Sequence, residues 1–170
     1  MSLRHPRASF AVIGQPIDHS LSPLIHKLFA RQWTIDLDYR AIELSPDGLA
    51  AGLATFAAGG GYGLNVTLPH KQAVIALCGS LSAGARRAQA VNTLTAIDGS
   101  WHGDNTDGIG LVSDLSQRKG IDLRGRRTLL LGAGGAACGA ASAVLDAGIG
   151  GAVICTRRPA HAGGRVGGLE

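Results

Sequence analysis

A glycine-rich segment late in the chain has residue types and spacing suited to contact phosphate groups. The run from Gly132 to Ala137 reads Gly-Ala-Gly-Gly-Ala-Ala and matches the pattern G-x-G-x-x-G/A. Thr128 to Leu131 before it predicts a buried strand, and Ala136 to Ala147 after it predicts a helix. Glycines let the backbone approach a pyrophosphate, and a helix N-terminus supplies free N–H groups. A plain tight turn is the alternative to a dinucleotide site formed by Gly132, Ala133, Gly134, Gly135 and Ala136.

The residues after the next predicted strand bear on the choice of cofactor. Ala152 to Cys155 predicts that strand, and Thr156, Arg157 and Arg158 follow it. An NAD site typically places Asp or Glu at this position, whereas Arg accommodates the 2′-phosphate of NADP. The sequence therefore favours NADP, with a solvated strand end as the alternative reading.

A second set of polar residues follows predicted strands or lies in loops, where α/β sheets bind their ligands. Each of them also has a purely structural alternative. Ser22 and Asp107 would cap helices, and Asn92 would make a turn. Lys71 would lie on a solvated face. The candidate substrate-binding residues are Ser20, Ser22, Asn65, Thr67, Lys71, Asn92 and Asp107.

The elements that must position these residues alternate between strand and helix, which indicates an α/β fold. The predicted strands are Phe10 to Ile13, Tyr39 to Leu44, Gly63 to Thr67, Thr93 to Ile97 and Ser100 to His102. The last two would form a hairpin around Asp98-Gly99. Helices are predicted to begin at Ser22-Pro23, Ser45-Pro46, Pro69 and Ser82, and another to run from Asp107 to Lys119.

Composition excludes several classes of function. The chain has 170 residues and a formal charge of +4, but only seven aromatic residues, and no basic run is interleaved with them as in nucleic-acid surfaces. No run of about 20 apolar residues predicts a membrane span. The three cysteines lack metal-ligand spacing, so we expect no metal site and mostly buried, reduced thiols in a cytoplasmic protein.

Five motifs occur in one order along the chain and together closely resemble the shikimate dehydrogenase family. They are Ser20-Leu21-Ser22-Pro23, Asn65-Val66-Thr67-Leu68-Pro69-His70-Lys71, Ala90-Val91-Asn92-Thr93, Gly103-Asp104-Asn105-Thr106-Asp107-Gly108 and Gly132-Ala133-Gly134-Gly135-Ala136. The resemblance extends from about Phe10 to Ala162.

The resemblance implies two domains and a small-molecule substrate. Residues 1–106 would be an N-terminal α/β domain that binds shikimate or 3-dehydroshikimate. Residues 107–170 would be an incomplete Rossmann domain, doubly wound in the whole family, that binds NADP. The implied activity is the NADPH-dependent reduction of 3-dehydroshikimate to shikimate, in the pathway to chorismate and the aromatic amino acids. A homodimer is compatible with this reading.

The resemblance also implies a role for each candidate residue. Ser20 and Ser22 would bind the substrate carboxylate. Thr67, Asn92 and Asp107 would hold ring hydroxyls, with Asn65 supporting the loop. Lys71 and Asp107 would be the catalytic pair, because hydride removal from an alcohol carbon requires the hydroxyl proton to leave and a lysine beside a carboxylate can move it.

The chain departs from the family pattern in two places. The family carries Asn-Arg-Thr-x-x-Arg after the second Rossmann strand, where this chain has Thr156-Arg157-Arg158-Pro159-Ala160-His161, so only Arg157 matches. The chain also ends at Glu170, after about one βαβ unit of a fold that needs two βαβαβ halves. We therefore expect a truncated chain with little or no turnover. The alternatives are a non-catalytic shikimate-binding fragment and a quinate- or NAD-using relative.

Overall fold

The computed structural model describes residues 8–132 and 134–156, and these form a mixed α/β structure, as predicted. The elements before the hairpin are β1 (Ala8–Gly14), α1 (Ser22–Gln32), β2 (Leu37–Glu43), α2 (Leu49–Ala58), β3 (Gly61–Val66), a 3₁₀ helix (Ala73–Leu77), β4 (Ser80–Leu81) and α3 (Ala83–Ala88). The remaining elements are β5 (Thr93–Ile97), β6 (Ser100–Asp104), α4 (Asp107–Ser113), a π-helical turn (Asp114–Arg118), β7 (Arg127–Leu131), α5 (Gly135–Asp146) and β8 (Gly151–Cys155).

The chain divides into two compact units. The first comprises Met1–Ser80 and Thr93–Gly103, and the second comprises Leu81–Asn92 and Asp104–Glu170. The short segment Leu81–Asn92 belongs with the second unit because α3 packs against α5. The domain boundary after residue 106 stays a prediction.

A six-stranded sheet dominates the first unit, with the strand order β2-β1-β3-β5-β6-β4. β1 pairs in parallel with both β2 and β3, and β3 pairs antiparallel to β5. Buried apolar side chains from the central strands form its core, namely Ala11, Val12, Ile13, Leu64, Val66 and Leu94. Because the carboxyl ends of β1 and β3 lie at the same edge, the segments that follow them are brought together there.

Helix boundaries in the first unit differ from three of the predicted starts. α1 has Leu21 as its N-cap, and Ser22, predicted to cap it, is instead its first residue. α2 begins at Leu49 because Ser45 and Pro46 form a turn, in which the Ser45 hydroxyl accepts a 3.2 Å hydrogen bond from the Gly48 amide. Pro69 begins a turn where a helix was predicted, and the helical segment between this turn and β4 is the 3₁₀ helix.

The predicted hairpin between β5 and β6 is confirmed. Asp98 and Gly99 both have positive φ angles, of 49° and 76°, as a two-residue type I′ turn requires.

The described part of the second unit consists of three α-helices, the π-helical turn and a two-stranded parallel sheet, β7-β8. α4 and α5 approach so closely that a Cβ added to Gly108 would collide with the Gly139 carbonyl and the Ala143 side chain. Its core consists mostly of small side chains, including Ala85, Ala88, Ala90, Cys138 and Ala141. The predicted helix from Asp107 to Lys119 is α-helical only to Ser113.

The sheet of the second unit leaves apolar side chains exposed, although parallel sheets are usually covered on both faces. Leu129, Leu131 and Val153 are each more than half exposed. The cysteines depart from the expected burial, because Cys138 is buried but Cys155 is exposed at the end of a two-stranded sheet. Among the described helices, none has the length and apolar character needed to cross a bilayer.

Candidate functional site

A tyrosine that the sequence analysis did not select connects two of the candidate substrate residues. The Tyr39 hydroxyl donates a 2.7 Å hydrogen bond to Asn65 Oδ1, and it also forms a hydrogen bond with Ser22. Burial raises the pKa of Tyr39 to about 12, and the Ser22 hydrogen bond offsets part of that rise. Tyr39 is therefore a protonated donor at neutral pH.

The start of α1 is held in place by contacts with the same tyrosine. The His26 ring stacks on the Tyr39 ring, with centroids 4.0 Å apart and planes 10° from parallel. His26 Nδ1 lies 2.9 Å from the Ser22 carbonyl, and the Ser22 amide donates a 3.3 Å hydrogen bond to Ser20 Oγ. The two serines are thus adjacent at the helix start, both half-buried.

The segment from Thr67 to Lys71 follows β3 and is anchored to the sheet at both of its ends. The Thr67 amide donates to the Ile13 carbonyl at 2.9 Å. His70 is fully buried, and its Nε2 lies 2.8 Å from the carbonyl of Leu44, the residue directly after β2. Because a carbonyl only accepts, Nε2 carries the proton. Lys71 comes next and is half-buried.

His70 was missed by sequence reasoning, although it stands beside the predicted catalytic lysine. Its Nδ1 is buried and has no hydrogen-bond partner within the described part of the chain. A buried polar atom without a hydrogen bond lowers the free energy of unfolding, and this one lies at the position directly before Lys71. The signal in the sequence that could have identified His70 is its place inside the motif from Asn65 to Lys71.

In the second unit, the structure brings Asn92 and Asp107 together. Asn92 Nδ2 donates to Asp107 Oδ1 at 2.8 Å and to Thr106 Oγ1 at 3.0 Å. Asn92 Oδ1 accepts a 3.0 Å hydrogen bond from the Thr106 amide. Asp107 is the first residue of α4, where the helix dipole favours a negative charge. The amide thus fixes the orientation of the carboxylate.

The glycine-rich segment has the strand–turn–helix context that a dinucleotide site requires. β7 ends at Leu131, Gly132 adopts a φ of 119°, and α5 begins at Gly135. The Gly132 amide donates to the Cys155 carbonyl at 2.8 Å, which joins the ends of β7 and β8. Among the described residues, no atom lies within 4 Å of a Cβ added at Gly132 or Gly134. Ala133 lies outside the described residues.

The predicted NADP-selecting residues are described only in part. Thr156 follows β8 directly, whereas Arg157 and Arg158 lie outside the described residues. Within residues 8–132 and 134–156, no group of three or more His, Cys, Asp or Glu side chains could hold a metal ion.

The chemistry of the two units differs. The first unit holds hydroxyl, amide and ammonium groups, on Ser20, Ser22, Asn65, Thr67 and Lys71. The second holds an amide–carboxylate pair and a turn suited to bind phosphates, with Asn92, Asp107 and the glycine-rich segment. Neutral hydrogen-bond donors and a lysine can bind the carboxylate and hydroxyl groups of a hydroxylated acid. A carboxylate can accept a hydrogen bond from a hydroxyl group of the same ligand.

Comparison with known proteins gives a consistent result. Residues 12–94 match the family model described as the shikimate dehydrogenase substrate binding domain. The chain is 60% identical over 157 residues to shikimate dehydrogenase (NADP(+)) of Xylella fastidiosa strain M12, which covers 92% of this chain and 56% of that protein. The chain therefore spans about half the length of the curated relatives it matches.

Solved structures also resemble this chain. An Ael1 enzyme from Pseudomonas putida superposes with a TM-score of 0.89 at 44% identity, over 95% of this chain and 60% of that one. Shikimate 5-dehydrogenase from Thermus thermophilus, in complex with NADP(H) and shikimate, superposes with a TM-score of 0.86 at 34% identity. That match covers 94% of this chain and 60% of the other.

Proposed function

The chain belongs to the shikimate dehydrogenase family, and from that premise we propose that it serves the NADP-dependent interconversion of 3-dehydroshikimate and shikimate. The observation that carries the proposal is the 2.8 Å hydrogen bond from Asn92 to Asp107. It orients a carboxylate at the start of a helix that packs against the helix opened by the glycine-rich segment. A cytoplasmic location and a homodimeric assembly belong to the same proposal.

Seven residues have proposed roles toward the substrate. Ser20 and Ser22 bind the carboxylate of the acid as hydrogen-bond donors. Thr67, Asn92 and Asp107 hold ring hydroxyls, and Asn65 supports the loop through Tyr39. Lys71 takes the hydroxyl proton during oxidation and returns it during reduction, and Asp107 is its partner in the catalytic pair.

The residues around the glycine-rich segment fit NADP. No described atom lies within 4 Å of a Cβ added at Gly132 or Gly134, which supports a close approach of a pyrophosphate to the backbone, and the N-terminus of α5 favours its charge. Bound NADP supplies the acceptor or donor of the hydride. Thr156, Arg157 and Arg158 are proposed to bind its 2′-phosphate, since guanidinium groups match phosphate geometry.

Binding of shikimate to the chain as it stands is the first experiment, because it does not depend on hydride transfer. We expect titration with shikimate, followed by NMR, to shift the amide signals of Ser22, Lys71 and Asp107. Ser22→Ala should weaken binding, whereas Ser116→Ala, in the π-helical turn, should not. Absence of any shift would reject the substrate assignment.

NADP-linked oxidation is the second experiment, carried out with shikimate and quinate and with NADP and NAD. Faster oxidation of shikimate with NADP is the expected result. Preference for quinate or for NAD would assign the chain to a related specificity. Binding of shikimate without turnover would identify a non-catalytic binding chain.

A further inference from the structure

Asn105 lies in the segment between β6 and α4, and its side chain is buried and hydrogen-bonded through both of its polar atoms. Only 6% of the residue is exposed. Its Nδ2 donates a 3.0 Å hydrogen bond to the Ala90 carbonyl, and its Oδ1 accepts a 3.1 Å hydrogen bond from the Asp107 amide. One amide thus connects the segment before Asn92 to the first residue of α4.

These two hydrogen bonds define the separation of the proposed substrate-binding pair. Ala90 lies two residues before Asn92, and the Asp107 amide belongs to the residue whose carboxylate Asn92 contacts. The Asn92 amide also donates to the Asp104 carbonyl, at 2.9 Å. The backbone near Asn92 and the backbone of Asp107 are therefore both hydrogen-bonded to Asn105 or to the adjacent Asp104.

Helix α5 sets the position of the Asn105 side chain from the other side. A Cβ added to Gly139 would lie 3.3 Å from Asn105 Oδ1, closer than side chains normally approach. Glycine at this position lets the helix close over the amide. α5 is the same helix that begins at the glycine-rich segment.

We infer that Asn105 is a positioning residue that orients Asp107 toward Asn92, and that the absence of a side chain at Gly139 lets α5 pack against Asn105 and hold it in place. The role of the positioned pair toward substrate rests on the function proposed above. The Asn105 side chain bonds to backbone groups, the Ala90 carbonyl and the Asp107 amide. Its loss acts through the orientation of the Asp107 carboxylate.

The first test measures amide hydrogen exchange at Asp107 and shikimate affinity in Asn105→Ala and Asn105→Asp. Asn105→Ala removes the acceptor of the Asp107 amide, so exchange at Asp107 should accelerate and shikimate affinity should fall about tenfold, the effect of one lost hydrogen bond. Asn105→Asp keeps that acceptor and should retain slow exchange at Asp107. Unchanged exchange and unchanged affinity in a folded Asn105→Ala protein would overturn the inference.

The second test uses Gly139→Ala, with Gly110→Ala in α4 as the matched control because a Cβ there meets no described atom within 4 Å. Glycine-to-alanine changes inside helices ordinarily favour the helix. We expect Gly139→Ala to weaken shikimate binding severalfold without lowering Tm, and Gly110→Ala to leave binding unchanged. Equal shikimate affinities in Gly139→Ala and Gly110→Ala would contradict the role of Gly139. This test does not require that Asn105→Ala folds.

The two hypotheses fail in different ways. If the unmodified protein does not bind shikimate, the proposed function is wrong, yet exchange at Asp107 still decides whether Asn105 positions it. If the unmodified protein binds shikimate and Asn105→Ala binds it equally well with slow Asp107 exchange, only the positioning role is wrong.

Discussion

The Tyr39 hydroxyl lies 2.7 Å from Asn65 Oδ1 and joins β2 to β3 across the sheet, although β1 lies between these strands. The same hydroxyl forms a hydrogen bond with Ser22 at the start of α1. Two candidate substrate residues from separate motifs are therefore oriented by one side chain. Their relative geometry depends on Tyr39.

Tyr39→Phe should lower shikimate affinity by about fivefold to tenfold. The change keeps the aromatic stack on His26 but removes the donor to Asn65, and one hydrogen bond contributes about 1 kcal/mol. Calorimetric titration with shikimate measures the change. Tyr62→Phe is the control, because the Tyr62 side chain is exposed and its ring lies beside that of Phe10, whereas the described hydrogen bond to Asn65 is made by Tyr39. Equal affinity in both variants would exclude a positioning role for Tyr39.

The Tyr39 pKa predicts a pH dependence of stability. Since the folded-state pKa is about 12 against an ordinary 10.0, the unfolded chain loses this proton first as pH rises. Tyr39 therefore contributes stability that is fully present below pH 10 and is lost as pH approaches 12. In Tyr62→Phe, Tyr39 is the sole tyrosine, and its tyrosinate absorbance should appear near pH 12. A midpoint near 10 would contradict the burial of Tyr39.

Lys71→Ala should lower the turnover of shikimate by about 10²-fold or more in any form of the protein that has activity, which is typical of a lost acid–base group. Shikimate binding to the variant should remain largely intact. Steady-state kinetics and a binding titration measure the two effects separately. Lys119→Ala is the control, because Lys119 lies at the end of the π-helical turn. An unchanged kcat would remove Lys71 from the mechanism.

Arg157→Ala should raise the KM for NADP far more than the KM for NAD, since only NADP carries the 2′-phosphate that a guanidinium would bind. Initial rates with each cofactor give the ratio. Arg127→Ala, at the start of β7, serves as the control substitution. Equal effects on both cofactors would indicate a structural role for Arg157.

Core packing in the first unit should depend strongly on Leu94. Leu94 is 1% exposed, so Leu94→Ala should cost about 2–5 kcal/mol of the free energy of unfolding. Leu24 on α1 is 56% exposed, and Leu24→Ala should cost less than about 0.5 kcal/mol. Both tryptophans, Trp33 and Trp101, belong to the first unit, so tryptophan fluorescence in urea reports its unfolding. Similar midpoints for the two variants would show that the sheet core is not the main source of stability.

The sequence by itself determined the features that short stretches of chain decide. The hairpin at Asp98-Gly99 follows from two residues that accept positive φ angles. The strand–turn–helix around Gly132 follows from an apolar run, glycines and a run of small helix-forming residues. The helix starts were less accurate, because the Ser45-Pro46 signal marks a turn as readily as a first helical residue.

Only the tertiary structure revealed the residues that orient the candidate site. Tyr39 and Asn65 are 26 residues apart in the chain, as are Leu44 and His70, and Ala90 is 15 residues from Asn105. No periodicity or local propensity links such positions. Their hydrogen bonds exist because strands far apart in sequence share a sheet, and because α5 covers Asn105 where Gly139 has no side chain. The motifs therefore indicated which groups could act, and the packing of distant elements decided how they are held.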